Sequence, residues 1–244
     1  MNLDLHPDMT IRKLAIGREQ APLLVIDNFV ANANELVEHA AAQLYSERSR
    51  YYPGIRAKTP PSYQQLVLAK LQDVLLECLG ARSTTLTFSM CNYSLITTPA
   101  ARLAVPQRIP HVDSLASTGL ASIHYLFKRE LGGTAFYRHR KTGFEIIDAA
   151  RNEQYCRSLQ TETVEPGAIG PGYINGDTAL FEQIAKQDGV FNRMLIYRRN
   201  SLHSGCIDAA FVPDPNPRTG RLSINSFIDL TINPACRSPE GMLP

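Results

Sequence analysis

The stretch from Thr84 to Ile96 constrains the fold of this chain more than any other. Apolar residues such as Leu86, Phe88 and Met90 alternate there with Thr87 and Ser89, and the polar–apolar alternation continues to Leu95. A period of two over that length requires an extended strand whose two faces meet different surroundings. More segments of β texture follow: Ala121 to Phe127, Gly132 to Tyr137, Phe191 to Tyr197, Leu202 to Gly205, and Arg221 to Leu230. Thr161 to Val164 reads as a strand end, and the stretches Pro166 to Gly172 and Val212 to Pro217 read as loops punctuated by Gly and Pro.

The first third of the chain has a different rhythm. Leu23 to Phe29 is a short buried strand, after which Asn32 or Asn34 caps a helix whose stripe is Leu36, Val37, Ala40, Ala41 and Leu44. Turn chemistry at Tyr51 to Arg56 separates it from a second helix. That helix opens at Pro60-Pro61-Ser62, carries Tyr63, Leu66, Val67, Leu71, Val74, Leu75, Cys78 and Leu79 on one face, and closes at Gly80. Leu180, Phe181 and Ile184 predict a short helix over 178–187. Helices first and strands afterwards suggest an α+β, mainly β protein: an antiparallel barrel or jelly roll with supporting helices. With 244 residues, no repeat and no long linker, the chain reads as a single domain, 1–244. Within it, 1–83 packs on the barrel, 84–232 forms the barrel, and 233–244 is a tail.

Charge excludes little. Twenty-five Lys and Arg against 23 Asp and Glu leave +2, so nothing favours nucleic acid as a partner. The start of the chain lacks a basic, apolar leader, and no apolar run reaches membrane-spanning length, which predicts a cytoplasmic protein. Cys78, Cys91, Cys156, Cys206 and Cys236 are odd in number and scattered, which predicts buried reduced thiols and neither a disulfide framework nor a zinc ribbon.

The chemistry concentrates at His111-Val112-Asp113. On an extended chain a histidine and a carboxylate two residues apart point to the same side and can offer two ligands to one metal ion. A second histidine from another strand would complete a 2-His-1-carboxylate triad, the arrangement that holds iron(II) with open positions. His124, His139 and His203 are the candidates within the β-rich part.

From Met90 to Ile228 the order of motifs resembles the 2-oxoglutarate- and iron(II)-dependent oxygenases, and among them the prolyl-4-hydroxylase-like branch. The motifs are Asn92-Tyr93, His111-Val112-Asp113, Tyr125-Leu126-Phe127, Gly132-Gly133-Thr134-Ala135-Phe136, Leu202-His203 and Gly220-Arg221-Leu222-Ser223. The resemblance implies a double-stranded β-helix with His111, Asp113 and His203 holding Fe(II). It implies Arg221 and Ser223 binding the far carboxylate of the co-substrate 2-oxoglutarate, with phenol hydrogen bonds from Tyr125 and Tyr93. An Arg suits a carboxylate because its fork donates two parallel hydrogen bonds. His124 and His139 then become structural residues, the latter at a solvated strand end. Because 18 positions separate His203 from Arg221, Arg218 and Arg199 compete for the anchor. The implied activity is hydroxylation of an amino acid, peptide or small metabolite by O2, with release of succinate and CO2. A jelly-roll binding or regulatory module that keeps the metal residues is the alternative, and a cupin-like metalloprotein without 2-oxoglutarate is a third. Loops at 51–61, 97–108 and 206–219 would shape specificity, and Arg56, Lys58, Arg102 and Arg108 either favour an anionic group there or, as the simpler reading, are ordinary surface charges.

Overall fold

The computed structural model describes residues 1–46, 51–80, 85–164 and 167–231. Cys236, the tail 233–244, Thr84 and Pro166 lie outside the described residues. The chain runs through β1 (Thr10–Ile16), β2 (Ala21–Asp27), α1 (Ala33–Ala41), β3 (Gly54–Lys58), α2 (Pro61–Leu79) and β4 (Thr85–Ile96). It continues through β5 (Gly119–Tyr125), β6 (Gly133–His139), α3 (Ala149–Glu162), β7 (Phe181–Asp188), β8 (Met194–Arg198), β9 (His203–Cys206) and β10 (Leu222–Thr231). The fold is mostly β. One antiparallel sheet has the order β1-β2-β8-β5-β10-β4-β3, and a smaller one has the order β7-β6-β9. An isolated bridge between His111 and His203 attaches the His111 segment to the free edge of β9.

Alternation along the strands divides the core. Leu24, Ile26, Tyr93, Ile196 and Ile224 face the layer formed by α1 and α2, whereas Leu23, Val25, Ile123, Tyr125 and Leu195 face the small sheet. The second helix forms as its sequence predicts. Pro61 stands at its first position, Gly80 closes it with φ 67, and Tyr63, Leu66, Val67, Leu71 and Leu75 are buried on one face. Each such side chain contributes about 1.5–3 kcal/mol when fully buried. On α1 the stripe ends sooner than expected: Leu44 lies beyond the helix and is 94% exposed.

Strand β4 departs from a simple period of two, and the pairing shows why. Leu86 and Phe88 face the helix layer, and so do Cys91, Tyr93 and Leu95, which are out of phase with them. Opposite β10 the register slips between Phe227 and Ile228, so Ser89 is the extra residue of a bulge that restores the facing.

Three expectations are corrected. Residues 178–187 hold most of strand β7, not a helix. Ile184 sits at a second bulge, since Phe136 pairs with Ala185 and Tyr137 with Gln183. Leu180 and Phe181 are buried in one core cluster and Ile184 packs against another on the opposite face, so burial on both sides of the strand mimics helix spacing. Thr161 and Glu162 end the helix α3 rather than a strand, and Asp148 caps its start by accepting from Arg151 N. Gly54, Ile55 and Arg56 belong to strand β3, the edge of the large sheet, not to a turn. The sequence also gave no warning of β1, which pairs with β2 across a tight turn.

Among the described residues no helix is long and apolar enough to cross a membrane. Cys78, Cys91, Cys156 and Cys206 are free thiols, of which Cys91 and Cys206 are buried and Cys156 is exposed, against the expectation of uniform burial.

Candidate active site

His111, Asp113 and His203 converge on one point. His203 opens β9 and exchanges two backbone hydrogen bonds with His111, N to O at 2.9 and 3.0 Å, which fixes the two imidazoles side by side with centroids 4.5 Å apart. Asp113 N donates to Arg199 O at 2.8 Å just past β8, turning the carboxylate back toward both rings. Its oxygens stand 3.8 Å from His111 Nε2 and 3.5 Å from His203 Nε2, and one ligand atom from each residue lies within 4.8 Å of the others. Around an octahedral ion with donors about 2.1 Å away, neighbouring donors sit about 3 Å apart, so a closure of about 1–2 Å suffices. The residues fit a divalent metal of the iron type.

Their surroundings prepare them for that role. His203 is buried, its Nδ1 pairs with Ser201 O at 3.0 Å, and the rings of Tyr197 and Phe136 pack on it at 4.7 and 6.4 Å. With Nδ1 donating to that carbonyl, Nε2 keeps its lone pair for a metal. His111 is open to the cavity on one side, yet enclosed by protein on the others. That enclosure first, and His203 second, push its pKa down to about 4 against the pull of Asp113. The imidazole is therefore neutral, as a ligand must be. Burial, followed by the Asp113 charge, drives the Tyr197 phenol well above its ordinary value and keeps it protonated.

A cavity of about 600 Å³ opens in front of the triad and is lined by both sheets, by α3 and by residues of the 51–56 and 106–113 segments. Arg221, at the start of β10, forms part of its wall, so the long gap after His203 does not keep the two apart. Arg221 is buried. Its Nε donates to Leu131 O and its Nη2 to Gly133 O, both at 2.8 Å, and it lies over the rings of Phe127 and Tyr125 at 5.4 and 5.9 Å. Nη1 has no hydrogen-bond partner among the described residues. The Gly132-Gly133 pair explains the carbonyl grip: Gly132 has φ +81, and a Cβ there would meet Cys206 O at 2.1 Å. Only glycine lets the chain turn this close to β9 and present its carbonyls to Arg221.

The other expected residues divide. Ser223 shares the inner face of β10 with Arg221, but its hydroxyl bonds Asn225 Oδ1 at 2.7 Å. Tyr125 is buried between the sheets with its hydroxyl 2.7 Å from Thr134 Oγ1, and Thr134 lines the cavity. Tyr93 is not brought to the cavity. It faces the helix layer, where its hydroxyl meets His39 Nδ1 at 3.2 Å, which removes it from the co-substrate residues. His124 is structural, buried between Tyr63 OH and Asn192 Oδ1, each at 3.1 Å. His139 is structural too, but not solvated as expected: it is fully buried against Thr142 and Glu162. Arg218 pairs with Glu38 on the surface, and Arg199 pairs with Asp229 over the ring of Phe227, so neither competes with Arg221. Sequence reasoning missed Tyr52, Tyr197 and the inward placement of Arg56. The alternation Ile55-Arg56-Ala57 was the available signal for the last.

Residues 7–228 match the family described as Family of unknown function (DUF6445). The chain belongs to that family. No curated protein matches this DUF6445 chain. Among solved structures it is similar to HygX from Streptomyces hygroscopicus, with nickel and 2-oxoglutarate bound, at 10% identity and TM-score 0.49 over 88% of this chain and 87% of that one. It is similar to the non-heme alpha ketoglutarate dependent carbocyclase SnoK from nogalamycin biosynthesis, at 10% identity and TM-score 0.46 over 90% and 85%. A third likeness is to the non-heme alpha ketoglutarate dependent epimerase SnoN, at 13% identity and TM-score 0.45 over 82% and 71%.

Proposed function

We propose that this chain is an Fe(II)- and 2-oxoglutarate-dependent oxygenase that hydroxylates an amino acid, peptide or small metabolite. The observation that carries the proposal is the convergence of two imidazole nitrogens and one carboxylate on the wall of a cavity that also holds Arg221. The order of the strands supports a double-stranded β-helix as one domain. From β4 onward the chain passes to the His111 segment on the small sheet, back to β5 on the large one, to β6 and β7 on the small one, and then alternates through β8, β9 and β10.

His111, Asp113 and His203 would hold the metal on one face and leave its other positions toward the cavity. When bound, iron(II) and 2-oxoglutarate supply an oxidant from O2, with succinate and CO2 as co-products. The protein's own residues set the conditions. Ser201 O orients His203, Arg221 Nη1 offers a fixed donor to the distal carboxylate of a dicarboxylate, and Tyr197, Phe136 and Ile123 keep water from the inner end. The presence of Asp113, rather than a small residue that leaves room for halide, favours hydroxylation.

Adding Fe(II) and then 2-oxoglutarate without oxygen tests the proposal. A visible charge-transfer band is expected with the wild type and none with His111→Ala. A folded, iron-loaded wild type without a band contradicts the proposal and leaves a binding module as the better reading.

A further inference from the structure

Among the described residues Arg56 is one of two cations in the cavity wall, and its donors are not engaged by backbone carbonyls as those of Arg221 are. Ile55 and Ala57 face the helix layer, so the period of two turns Arg56 to the opposite side of β3, into the cavity. Its guanidinium stacks over the ring of Tyr52 at 4.4 Å, and its single hydrogen bond among the described residues runs from Nη1 to Met90 Sδ at 3.5 Å. Nε is buried with no partner, and so is the Tyr52 hydroxyl beside it. The remaining cations that the sequence offered are elsewhere: Lys58 and Arg102 are exposed, and Arg108 is given over to Leu103 O by two hydrogen bonds of 2.9 and 2.6 Å.

A half-buried cation with idle donors is unfavourable by itself and becomes favourable when an anion fills the space in front of it. Among the described residues Asp113 is the sole carboxylate that lines the cavity, and it belongs to the triad. A divalent metal and two arginines exceed the charge of Asp113 by three. A bound dicarboxylate cancels two of these charges. One positive charge remains, and it lies with Arg56.

Resting on the oxygenase reading for that charge count, we infer that Arg56 and Tyr52 form the subsite for a carboxylate group of the primary substrate, distinct from the Arg221 anchor. The wall beside it is apolar at Pro53, Ile96, Pro106, Ile109 and Val112. The substrate class is therefore a small monoanionic acid with an apolar body. A guanidinium stacked on a phenol ring holds a planar carboxylate by two parallel hydrogen bonds, which an uncharged amide of the same shape cannot reproduce.

The test uses 3-phenylpropionate and 3-phenylpropionamide, titrated calorimetrically into the full chain, once metal-free and once with manganese(II) and saturating 2-oxoglutarate. The acid is expected to bind wild type on the order of tenfold more tightly than the amide. Arg56→Gln erases the preference, Arg56→Lys retains part of it, and Arg221→Gln keeps it. A parallel titration of 2-oxoglutarate shows Arg56→Gln unchanged and Arg221→Gln weakened. Equal binding of acid and amide, no binding of the acid to wild type, or a preference that survives in a folded Arg56→Gln overturns the inference. Loss of 2-oxoglutarate affinity in Arg56→Gln also overturns it, by moving Arg56 into the co-substrate site. If 2-oxoglutarate binds no form while the acid preference still follows Arg56, the inference stands and the oxygenase reading falls.

Discussion

The two faces of the seven-stranded sheet are made by alternate residues of the same strands, yet they treat most of their polar groups differently. On the helix side, His124 is held by Tyr63 and Asn192, Tyr93 by His39, and Thr59 by the Cys91 carbonyl. On the cavity side, among the described residues, the Tyr52 hydroxyl and Arg56 Nε are buried without partners, Arg221 Nη1 has none, and one nitrogen or oxygen from each of His111, Asp113 and His203 lies within 4.8 Å of the others. Buried polar groups left unpaired cost about 1–3 kcal/mol each. Among the described residues the helix face is paired by the chain itself apart from the Tyr45 and Ser62 hydroxyls, whereas the cavity face gathers unpaired groups around the triad, where a ligand would meet them. His124 and His111 make the point in pairs: both have pKa values lowered to about 4, but His124 is fully buried between partners whereas half of the His111 side chain is exposed toward the cavity.

Substitutions on the two faces should therefore separate binding from stability. The largest effect is expected for Asp113→Ala, which should take divalent-metal stoichiometry from one per chain to none while the thermal midpoint moves by no more than a few degrees. An unfolded variant, or one that still binds metal at the same affinity, would break the contrast. On the helix face, His124→Ala leaves Tyr63 and Asn192 unpaired and opens a hole. It should cost about 2–4 kcal/mol in denaturant unfolding while metal binding persists. Arg221→Gln should weaken 2-oxoglutarate binding by roughly 10–100-fold without loss of metal, since a charge-assisted donor is removed and the triad is untouched.

The pH dependence of stability carries the same contrast. His124 stays neutral in the folded chain down to about 4, whereas the unfolded chain takes up the proton near the ordinary value of 6.5. The unfolded state binds more protons in that window, so stability should fall as pH drops from about 6.5 to 4 and flatten below, by about 1–3 kcal/mol for this group. His124→Asn should remove its own share of that slope and leave the share of His111. A slope that persists unchanged would place its origin elsewhere. The smallest effect is expected for Arg218→Ala, an exposed partner of Glu38, which should leave both the thermal midpoint and 2-oxoglutarate affinity where they were.

What was legible in the residues follows the same division. The second helix could be read because Pro61, Gly80 and the stripe from Tyr63 to Leu75 all agree, and β4 because its alternation is long. Helix α3 was not, because it is polar around most of its surface, with Tyr155 as its sole buried residue, and so carries no stripe. Strand β7 was misread because Phe181 and Ile184 pack on opposite faces of the small sheet, which leaves no period of two in its apolar residues. In the site, the His111-Val112-Asp113 spacing brings the two side chains to one side, as the alternation predicts, although the segment is an isolated bridge rather than a full strand. Tyr93 was misplaced because facing depends on the bulge at Ser89, which can only be seen against β10. Arg56 could be named as a cation near the site but not placed, because Tyr52-Pro53-Gly54 reads as a turn and hides the edge strand that follows.

The central claim is that the cavity face holds a metal on three named residues and a dicarboxylate between that metal and Arg221. A crystal structure grown without oxygen in manganese(II) and 2-oxoglutarate tests it most directly. The expected result is one anomalous peak about 2.1 Å from His111 Nε2, His203 Nε2 and an Asp113 oxygen, with the distal carboxylate of 2-oxoglutarate on Arg221 and Arg56 still free. Metal bound away from these three atoms, or a cavity that stays empty at saturating co-substrate, would contradict it.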